Sequence, residues 1–184
     1  MKSQKNNFHM VRQYDEIIPK EVCEALIEIF EVNTQGHQKI NSDYKPSFTQ
    51  LNVNEHVSSL VPGLVQYTKE AYDKYVADIS SPYIPRMDYM EEFRIKRYCP
   101  GGEERFDEHV DVRSHASAKR CIAFIFYLND CDGDTVFSRH ELKVKPSCGK
   151  VVVFPPTWEY PHSGLAPKDG NKYIMSTYIH YGKN

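Results

Sequence analysis

Apolar residues recur at helical spacing in two parts of the first half of the chain. In residues 19–32, four apolar positions fall on one side of a helix that begins near Pro19, which a first turn tolerates. In residues 59–79, five more positions line one side, and Pro62 suits the first turn. The polar stretch 33–45 between them predicts a loop, either an ordinary surface loop or a candidate lid.

The second half of the chain changes to the patterns of strands. Side chains alternate along 93–98, and runs rich in β-branched and aromatic residues follow at 122–129, 150–154 and 173–181. Glycine-containing turns separate these runs at 100–102, 132–134 and 147–149. The order predicts a β-sandwich or open barrel backed by N-terminal helices.

Composition narrows the class of protein. A chain of 184 residues with 40% hydrophobic and 26% charged residues suits one globular domain. The net charge of −2 provides no overall attraction to nucleic acid, although local basic grooves stay open as an alternative. The five cysteines form no Cys-x-x-Cys pair, and neither a secretory signal nor a run long enough for a bilayer is visible. We therefore expect reduced thiols and a cytoplasmic protein.

His109 and Asp111 provide the first candidate chemistry. Residues two apart on an extended backbone share a face, so both side chains could reach one metal ion. A second histidine from elsewhere would complete the two-histidine, one-carboxylate set that is typical of non-haem Fe(II) oxygenases. With eight histidines in the chain, roughly one such pair is expected by chance, so two solvated polar residues remain the alternative.

A collinear series of motifs supports the metal interpretation. The series contains Tyr98 before a glycine turn, His109 and Asp111, Tyr127-Leu128-Asn129, Gly133-Asp134-Thr135-Val136-Phe137, Pro146 and Gly149, Phe154, His162 and Lys172. Over residues 92–181 this order resembles the prolyl 4-hydroxylase group of the 2-oxoglutarate/Fe(II)-dependent dioxygenase superfamily.

The resemblance implies a fold and a reaction. The fold would be a double-stranded β-helix (jelly-roll, cupin-like) backed by N-terminal helices, in an α+β chain with a mainly β core. Residues 1–184 would form a single catalytic domain, with a helical support region at about 1–85 and the jelly-roll core at about 86–184. The reaction would be hydroxylation of proline in a peptide or protein, coupled to decarboxylation of 2-oxoglutarate to succinate and CO2. Fe(II), 2-oxoglutarate and O2 would be required, with L-ascorbate as a further candidate cofactor.

The resemblance also assigns roles to single residues. His109, Asp111 and His162 would hold the iron, and Lys172 would bind the far carboxylate of 2-oxoglutarate instead of facing solvent. Tyr98 and Tyr127 match positions that offer hydroxyls near that carboxylate, although both could be packing residues. Thr135 is a weaker candidate of the same kind.

Four further residues are candidates for substrate contact. Strand alternation would place Arg94 and Lys96 on the face of Tyr98, where they could meet an acidic or backbone-rich substrate or simply be solvated. Arg120 matches a place at the groove entrance of relatives. Trp158 lies in a proline-rich loop before His162 and would line the groove or cap the core.

Several alternatives stay open. His115 is the one rival metal ligand, whereas His9, His37, His56, His140 and His180 fit no ligand order and are expected at the surface or in packing. The enzyme could instead act on a free amino acid, a small metabolite or a nucleobase. Nucleic-acid members typically carry arginine where Lys172 stands, so a nucleic-acid partner is disfavoured. A non-enzymatic metal-binding jelly-roll protein is the alternative from another class.

Overall fold

A computed structural model describes residues 9–41 and 46–182 of the chain. Its α-helices are α1 (Lys20–Val32), α2 (Val53–His56) and α3 (Val61–Ile79). Its strands are, in chain order, β1 (Arg12–Tyr14), β2 (Gln38–Asn41), β3 (Ser47–Asn52), β4 (Tyr89–Met90), β5 (Arg94–Tyr98), β6 (Phe106–His109), β7 (Arg120–Tyr127), β8 (Thr135–Phe137), β9 (Leu142–Val144), β10 (Val151–Phe154), β11 (His162–Gly164) and β12 (Lys172–His180).

Two antiparallel sheets form the β core. The large sheet has the order β1-β10-β7-β12-β5-β3-β2, with β4 also paired to β12. The small sheet has the order β6-β11-β8-β9. All of these pairings are antiparallel, as expected for short strands joined by tight turns.

Alternate residues of β7 divide the core into two layers. Ile122, Phe124 and Phe126 pack into a cluster with α1 and α3 on one face of the large sheet. Ala123 and Tyr127 point to the opposite face, where a second cluster contains residues of the small sheet. After Arg120 the strand is hydrophobic because both of its faces are buried. The order of layers is therefore helices, large sheet, small sheet.

Both predicted helices are confirmed. The first extends over Lys20–Val32 with Pro19 at its N-cap, and the Asn33 side-chain amide donates to the Ile29 carbonyl at 2.7 Å to close its end. The second extends over Val61–Ile79, after a short 3-10 turn at Ser58–Leu60 that the sequence could not separate from it. Pro62 lies in its first turn as expected.

The loop predicted at 33–45 is wrong in part. Gln38–Asn41 form β2, which pairs with β3 at the edge of the large sheet, and Thr34–Gly36 form a 3-10 turn. Three of the four β2 residues are polar because the strand is exposed at a sheet edge, and this polarity concealed it. Residues 42–45 of the candidate lid lie outside the described residues, so the lid stays a prediction.

Two features of the described residues bear on the expected environment of the protein. None of the helices there combines the length and the apolar character needed to cross a bilayer. All five cysteines are free thiols, as expected.

Candidate metal centre and adjoining cavity

His109, Asp111 and His162 converge at one end of the small sheet. His109 ends β6 and His162 begins β11, and the two are direct partners in the antiparallel register. Asp111 follows two residues after His109, so that one carboxylate oxygen lies 3.5 Å from His109 Nε2 and the other 3.6 Å from His162 Nε2. One potential ligand atom from each residue lies within 4.8 Å of the others. The structure therefore brings together the three residues that the sequence predicted as metal ligands.

Main-chain carbonyls orient both histidine rings. His109 Nδ1 lies 2.8 Å from the carbonyl of Asp107, and His162 Nδ1 lies 3.1 Å from the carbonyl of Tyr160. A carbonyl can only accept, so each Nδ1 carries a proton, and the Nε2 that faces Asp111 is the nitrogen left to bind a metal ion. In both cases the carbonyl belongs to the residue two positions earlier. This is the arrangement that a pair of neutral imidazole metal ligands requires.

Aromatic rings fill the space behind the histidines. The Phe106 ring stacks on His109 with centroids 3.5 Å apart and an interplanar angle of 8°. Phe154 meets His162 edge to face at 4.8 Å, and Phe137 lies 5.6 Å from the same ring. This packing fixes the rotamers of the two imidazoles and limits access of water to the site.

Burial and the neighbouring charges set the ionisation of the cluster. Burial acts to raise the pKa of Asp111, but the hydrogen bond from His109, the two imidazoles and Lys96 outweigh it and lower that pKa to about 2. Burial lowers the pKa of His162 below its usual value, although Asp111 acts against this effect. Asp111 is therefore an anion and His162 is neutral at physiological pH, which are the forms that bind a metal ion.

The donor set fits Fe(II). Two imidazole nitrogens and one carboxylate on one side of an ion leave positions free on the other side, as in non-haem Fe(II) oxygenases. A closed structural zinc site would instead require a fourth protein ligand. In the described part of the chain, these three residues are the one group of histidines, cysteines or carboxylates placed to hold a metal.

A narrow cavity of about 40 Å³ adjoins the cluster. It lies between the small sheet and strands β5, β7 and β12 of the large sheet. Its wall consists of Lys96, Tyr98, Phe106, His109, Asp111, Ile125, Thr135, His162, Gly164, Lys172, Ile174, Ser176 and Tyr178. The cavity thus has a metal end and, around Lys172, a cationic end.

Lys172 begins β12 and is 2% exposed, with its ammonium turned into the cavity. Its Nζ donates to the Gly133 carbonyl at 2.5 Å and lies 5.5 Å from the centre of the Tyr98 ring. Burial lowers its pKa to about 8, against smaller opposite effects of Cys131 and Asp134. A side chain at position 133 would meet the Leu165 carbonyl at 2.8 Å and the Lys172 chain at 3.1 Å, so glycine is required for this approach. The alternative that Lys172 is a solvent-facing strand residue is therefore wrong.

The three hydroxyl candidates differ in position. Tyr98 is opposite Lys172 in the β5–β12 register and lines the cavity. Thr135 lines it as well, at 3% exposure. Tyr127 does not belong to the cavity wall, and its hydroxyl donates to the Thr135 hydroxyl at 2.8 Å. Tyr127 can therefore act on a ligand in the cavity through Thr135.

Two of the residues predicted to contact the substrate, Arg94 and Arg120, form ion pairs with acidic side chains. The Arg94 guanidinium is 2.8 Å from Glu92 and does not line the cavity next to the metal cluster. Arg120 forms two hydrogen bonds with Glu91, at 2.7 and 2.9 Å, and its guanidinium lies 4.1 Å from the Tyr178 ring. Arg120 also borders a recess shared with His109 and Asp111, and its role at a groove entrance stays a prediction.

Lys96 and Trp158 have contrasting positions. Lys96 lines the cavity on the same face of β5 as Tyr98, as the alternation predicted. Burial lowers the pKa of Lys96 to about 8, partly offset by Asp111. Trp158 is 67% exposed and contacts Arg139, so it neither lines this cavity nor caps the core. A proline-rich loop can hold an exposed aromatic ring without packing because proline already restricts its backbone.

The other histidines do not belong to the metal cluster. His115, the rival ligand, lies in a short 3-10 turn on the surface. His180 pairs with Glu91 at 2.8 Å, and His37 stacks on Phe30 at 4.2 Å. His9 and His140 contact each other at 5.6 Å.

Some residues of the cavity wall were missed from the sequence. Ile174, Ser176 and Tyr178 follow Lys172 at intervals of two along β12, so the alternation of a strand could have found them once Lys172 was assigned. Glu91 holds Arg120 and His180 together and had no sequence signal, because its two partners lie 29 and 89 residues away.

Comparison with known proteins agrees with this geometry. Residues 93–180 match the family model described as the 2OG-Fe(II) oxygenase superfamily, and this segment contains the three clustered residues and Lys172. The resemblance inferred from the sequence is confirmed over this segment. A search of curated proteins gave no match.

Solved structures of prolyl hydroxylases share the fold over 95% of this chain. A viral collagen prolyl hydroxylase from Paramecium Bursaria Chlorella virus-1, solved with 2OG, is 21% identical, with a TM-score of 0.67 and 97% of that chain covered. A Pseudomonas putida prolyl-4-hydroxylase is 16% identical, with a TM-score of 0.72 and 94% covered. A Trichoplax adhaerens prolyl hydroxylase in complex with a hypoxia inducible factor peptide fragment is 10% identical, with a TM-score of 0.73 and 84% covered. At these identities the likeness shows the fold alone.

Proposed function

We propose that this protein is an Fe(II)- and 2-oxoglutarate-dependent dioxygenase that hydroxylates proline in a peptide or protein. The observation that carries the proposal is the joint occurrence of the two-histidine, one-carboxylate cluster and the buried Lys172 in the wall of one cavity. The superfamily match supports the general reaction. The prolyl substrate rests on the fold shared with prolyl hydroxylases, one of which is complexed with a peptide.

In this proposal the three ligands hold Fe(II), which supplies the activation of O2 that couples oxidation of 2-oxoglutarate to oxidation of the substrate. His109 and His162 would bind the ion through Nε2 because each Nδ1–H donates to a main-chain carbonyl. Asp111 contributes the negative charge and is already ionised at neutral pH.

Lys172 would bind the far carboxylate of 2-oxoglutarate. A cation in a nearly dry pocket interacts strongly with a carboxylate, and binding the anion also offsets the cost of burying the lysine. The Thr135 hydroxyl and Tyr98, both in the cavity wall, are the proposed additional contacts with this carboxylate. Ile125 and Ile174 add apolar surface that excludes water from the bound cosubstrate.

The proposal includes the finer architecture predicted from the sequence. The two facing antiparallel sheets are consistent with a double-stranded β-helix, with 86–184 as its core and 1–85 as the support region of one catalytic domain. Strands β1 to β3 come from that support region and extend the large sheet. The use of ascorbate and a cytoplasmic location remain predictions.

The first experiment is an anaerobic titration of the metal-free protein with Fe(II) and 2-oxoglutarate. We expect a weak visible charge-transfer band, followed by succinate formation when O2 is admitted and faster formation with proline-containing peptides. His162→Ala should abolish both band and succinate, because two ligands cannot hold the ion in the same geometry. Absence of the band in the wild-type protein with confirmed metal uptake would contradict the proposal and favour a non-enzymatic metal-binding protein.

A further inference from the structure

Lys96 is a cation in the cavity wall that the reaction described so far does not use. Its side chain extends from β5 into the cavity, two residues before Tyr98 and on the same face. Direct pairing in the β5–β12 register joins Lys96 to Ile174 and Tyr98 to Lys172. The two lysines therefore start from neighbouring pairs, about 7 Å apart along the strand direction.

The two lysines point to different parts of the cavity. The Lys172 ammonium is held by the Gly133 carbonyl. The Lys96 ammonium lies 5.2 Å from the centre of the Phe48 ring, and Asp111 is the nearby charge that attracts it most strongly. Lys96 is therefore the cation on the metal side, and Lys172 is the cation at the far end.

Nothing in the described part of the protein forms a hydrogen bond or an ion pair with the Lys96 ammonium. Its contact with Phe48 is a cation–π interaction, which is weak in a partly buried setting. Lys96 is half-buried, and an ammonium group that is partly taken from water loses more than one such contact returns. Packing alone therefore gives no sufficient reason for a lysine at this position.

The neighbouring acids are committed to other cations. Glu92 pairs with Arg94 at 2.8 Å, and Glu91 pairs with Arg120 at 2.7 Å. Glu91 also accepts from His180, so both carboxylates have other partners. Asp111 is the remaining acid, and it belongs to the metal cluster.

The sum of the charges in the cavity also indicates that Lys96 has no acidic partner of its own. The proposed Fe(II) and the 2-oxoglutarate dianion cancel each other, and Asp111 cancels one of the two lysines. Among the charged groups of the cavity wall and its proposed ligands, one positive charge then remains uncompensated. A negative charge that enters with the second substrate would neutralise it, whereas a neutral substrate would bury it further.

We propose that Lys96 determines substrate specificity by binding a carboxylate that the substrate carries close to the atom to be oxidised. The inference rests on the function proposed above and refines it, because it requires an acidic substrate. The carboxylate would be a side chain next to the target residue in a peptide, a peptide C-terminus, or the α-carboxylate of a free amino acid. These sources offer the same chemistry to the lysine, and the test separates them.

The test uses the full chain loaded with Fe(II) and 2-oxoglutarate and three matched pairs of ligands. One pair is a blocked proline peptide with aspartate or asparagine beside the proline. The second is a proline peptide ending in a free acid or an amide, and the third is L-proline or L-prolinamide. Binding is measured anaerobically by calorimetry, and stimulated succinate formation is measured after O2 is admitted.

We expect the acidic member of at least one pair to bind about 10- to 100-fold more tightly, as for a charge-assisted contact in a partly dry site. Lys96→Gln should reduce this preference to about threefold or less, and Lys96→Arg should retain most of it. Lys143→Gln, which removes an exposed lysine from β9, is the matched control and should leave the preference unchanged. The pair that responds identifies the source of the carboxylate.

Three outcomes would overturn the inference. The first is a wild-type protein that shows no preference for the acidic member of any pair. The second is a preference that survives in Lys96→Gln. The third is a loss of 2-oxoglutarate affinity in Lys96→Gln as large as that in a Lys172 variant, since Lys96 would then bind the cosubstrate. The charge-transfer band separates this failure from failure of the proposed function, because the band does not depend on the second substrate.

Discussion

The two ends of the cavity are built in different ways. At the metal end, each histidine is oriented by the carbonyl of the residue two positions before it, so the geometry is set within short segments of β6 and β11. At the cationic end, Lys172 is held by the carbonyl of Gly133, 39 residues away, inside a wall assembled from three strands of the large sheet and the small sheet. At the metal end, His109 and Asp111 are close in sequence and the fold adds only His162. At the cationic end, all contacts of Lys172 depend on residues that folding brings together.

The ionised groups at the two ends also differ in sign and in how far the protein stabilises their charged forms. Asp111 is stabilised as an anion by the surrounding donors despite its burial. Lys172 is destabilised as a cation by its burial, with the Gly133 carbonyl as its direct partner. The cavity can therefore bind two ligands of opposite charge, with a metal cation next to Asp111 and a carboxylate next to Lys172. The following predictions test whether the ends can be changed separately.

The largest expected effect is that of Lys172→Met, which removes the charge while keeping a chain of similar length. The affinity for 2-oxoglutarate should fall roughly 100-fold or more, because its far carboxylate would be buried without a partner. The affinity for Fe(II) in the absence of 2-oxoglutarate should change by less than about threefold, since the metal end has its own hydrogen bonds. Calorimetric titrations of both ligands measure the two effects, with Lys143→Gln as the control. A similar loss of metal binding would show that the two ends are not independent.

Acid should destabilise the metal-free protein through the metal end. The pKa of Asp111 is lowered from 3.8 to about 2 in the folded state, so its contribution is complete above pH 4 and is lost as the pH falls toward 2. This shift corresponds to about 2 kcal/mol of unfolding free energy. The lowered pKa of His162 acts in the same direction below pH 6.5, because the unfolded chain takes up the proton first.

The cationic end should respond to pH in the opposite sense. The pKa of Lys172 is about 8 when folded and 10.5 in its reference state, so stability should rise as the pH increases through that interval. Urea unfolding of the metal-free protein across both intervals measures the two effects. Asp111→Asn should remove the loss of stability below pH 4 and leave the alkaline rise unchanged, whereas Lys172→Met should reduce the alkaline rise. A profile unchanged by Asp111→Asn would contradict the assigned charge of the metal end.

The difference between the ends also explains what the sequence could predict. The metal ligands were found because a His-x-Asp pair can share one face and the resemblance to the family pattern identified His162, although β6 already ends at His109. The two long helices and the central strands were found because their burial follows a regular period along the chain. In these regions the neighbours of a residue in sequence decide its environment.

The parts that were missed depend on distant partners. Strand β3, Ser47–Asn52, has five of six residues buried although most are polar, because it pairs with β5 and β2 inside the large sheet. Strand β1 is only three residues long and is defined by its pairing with β10. Arg120 was predicted at the groove entrance, but its tight pairing with Glu91 has no local signal. Nonlocal pairing and side-chain networks of this kind are invisible to periodicity.

The smallest expected effect concerns the hydroxyl pair at the cationic end. Tyr127 is fully buried, and its hydroxyl donates to Thr135, which lines the cavity. Tyr127→Phe therefore removes the hydrogen bond to Thr135 but leaves every residue of the cavity wall in place. We expect a loss of about 1 kcal/mol in unfolding free energy and roughly a three- to fivefold rise in the KM for 2-oxoglutarate.

Thr135→Val should raise that KM at least as much, whereas Thr135→Ser should retain most of the affinity. Because the two hydroxyls act as one unit, the double variant Tyr127→Phe/Thr135→Val should be no worse than Thr135→Val alone. A rise in KM for Tyr127→Phe as large as that for Lys172→Met would instead place Tyr127 in direct contact with the cosubstrate, and the cationic end would then require rearrangement on binding.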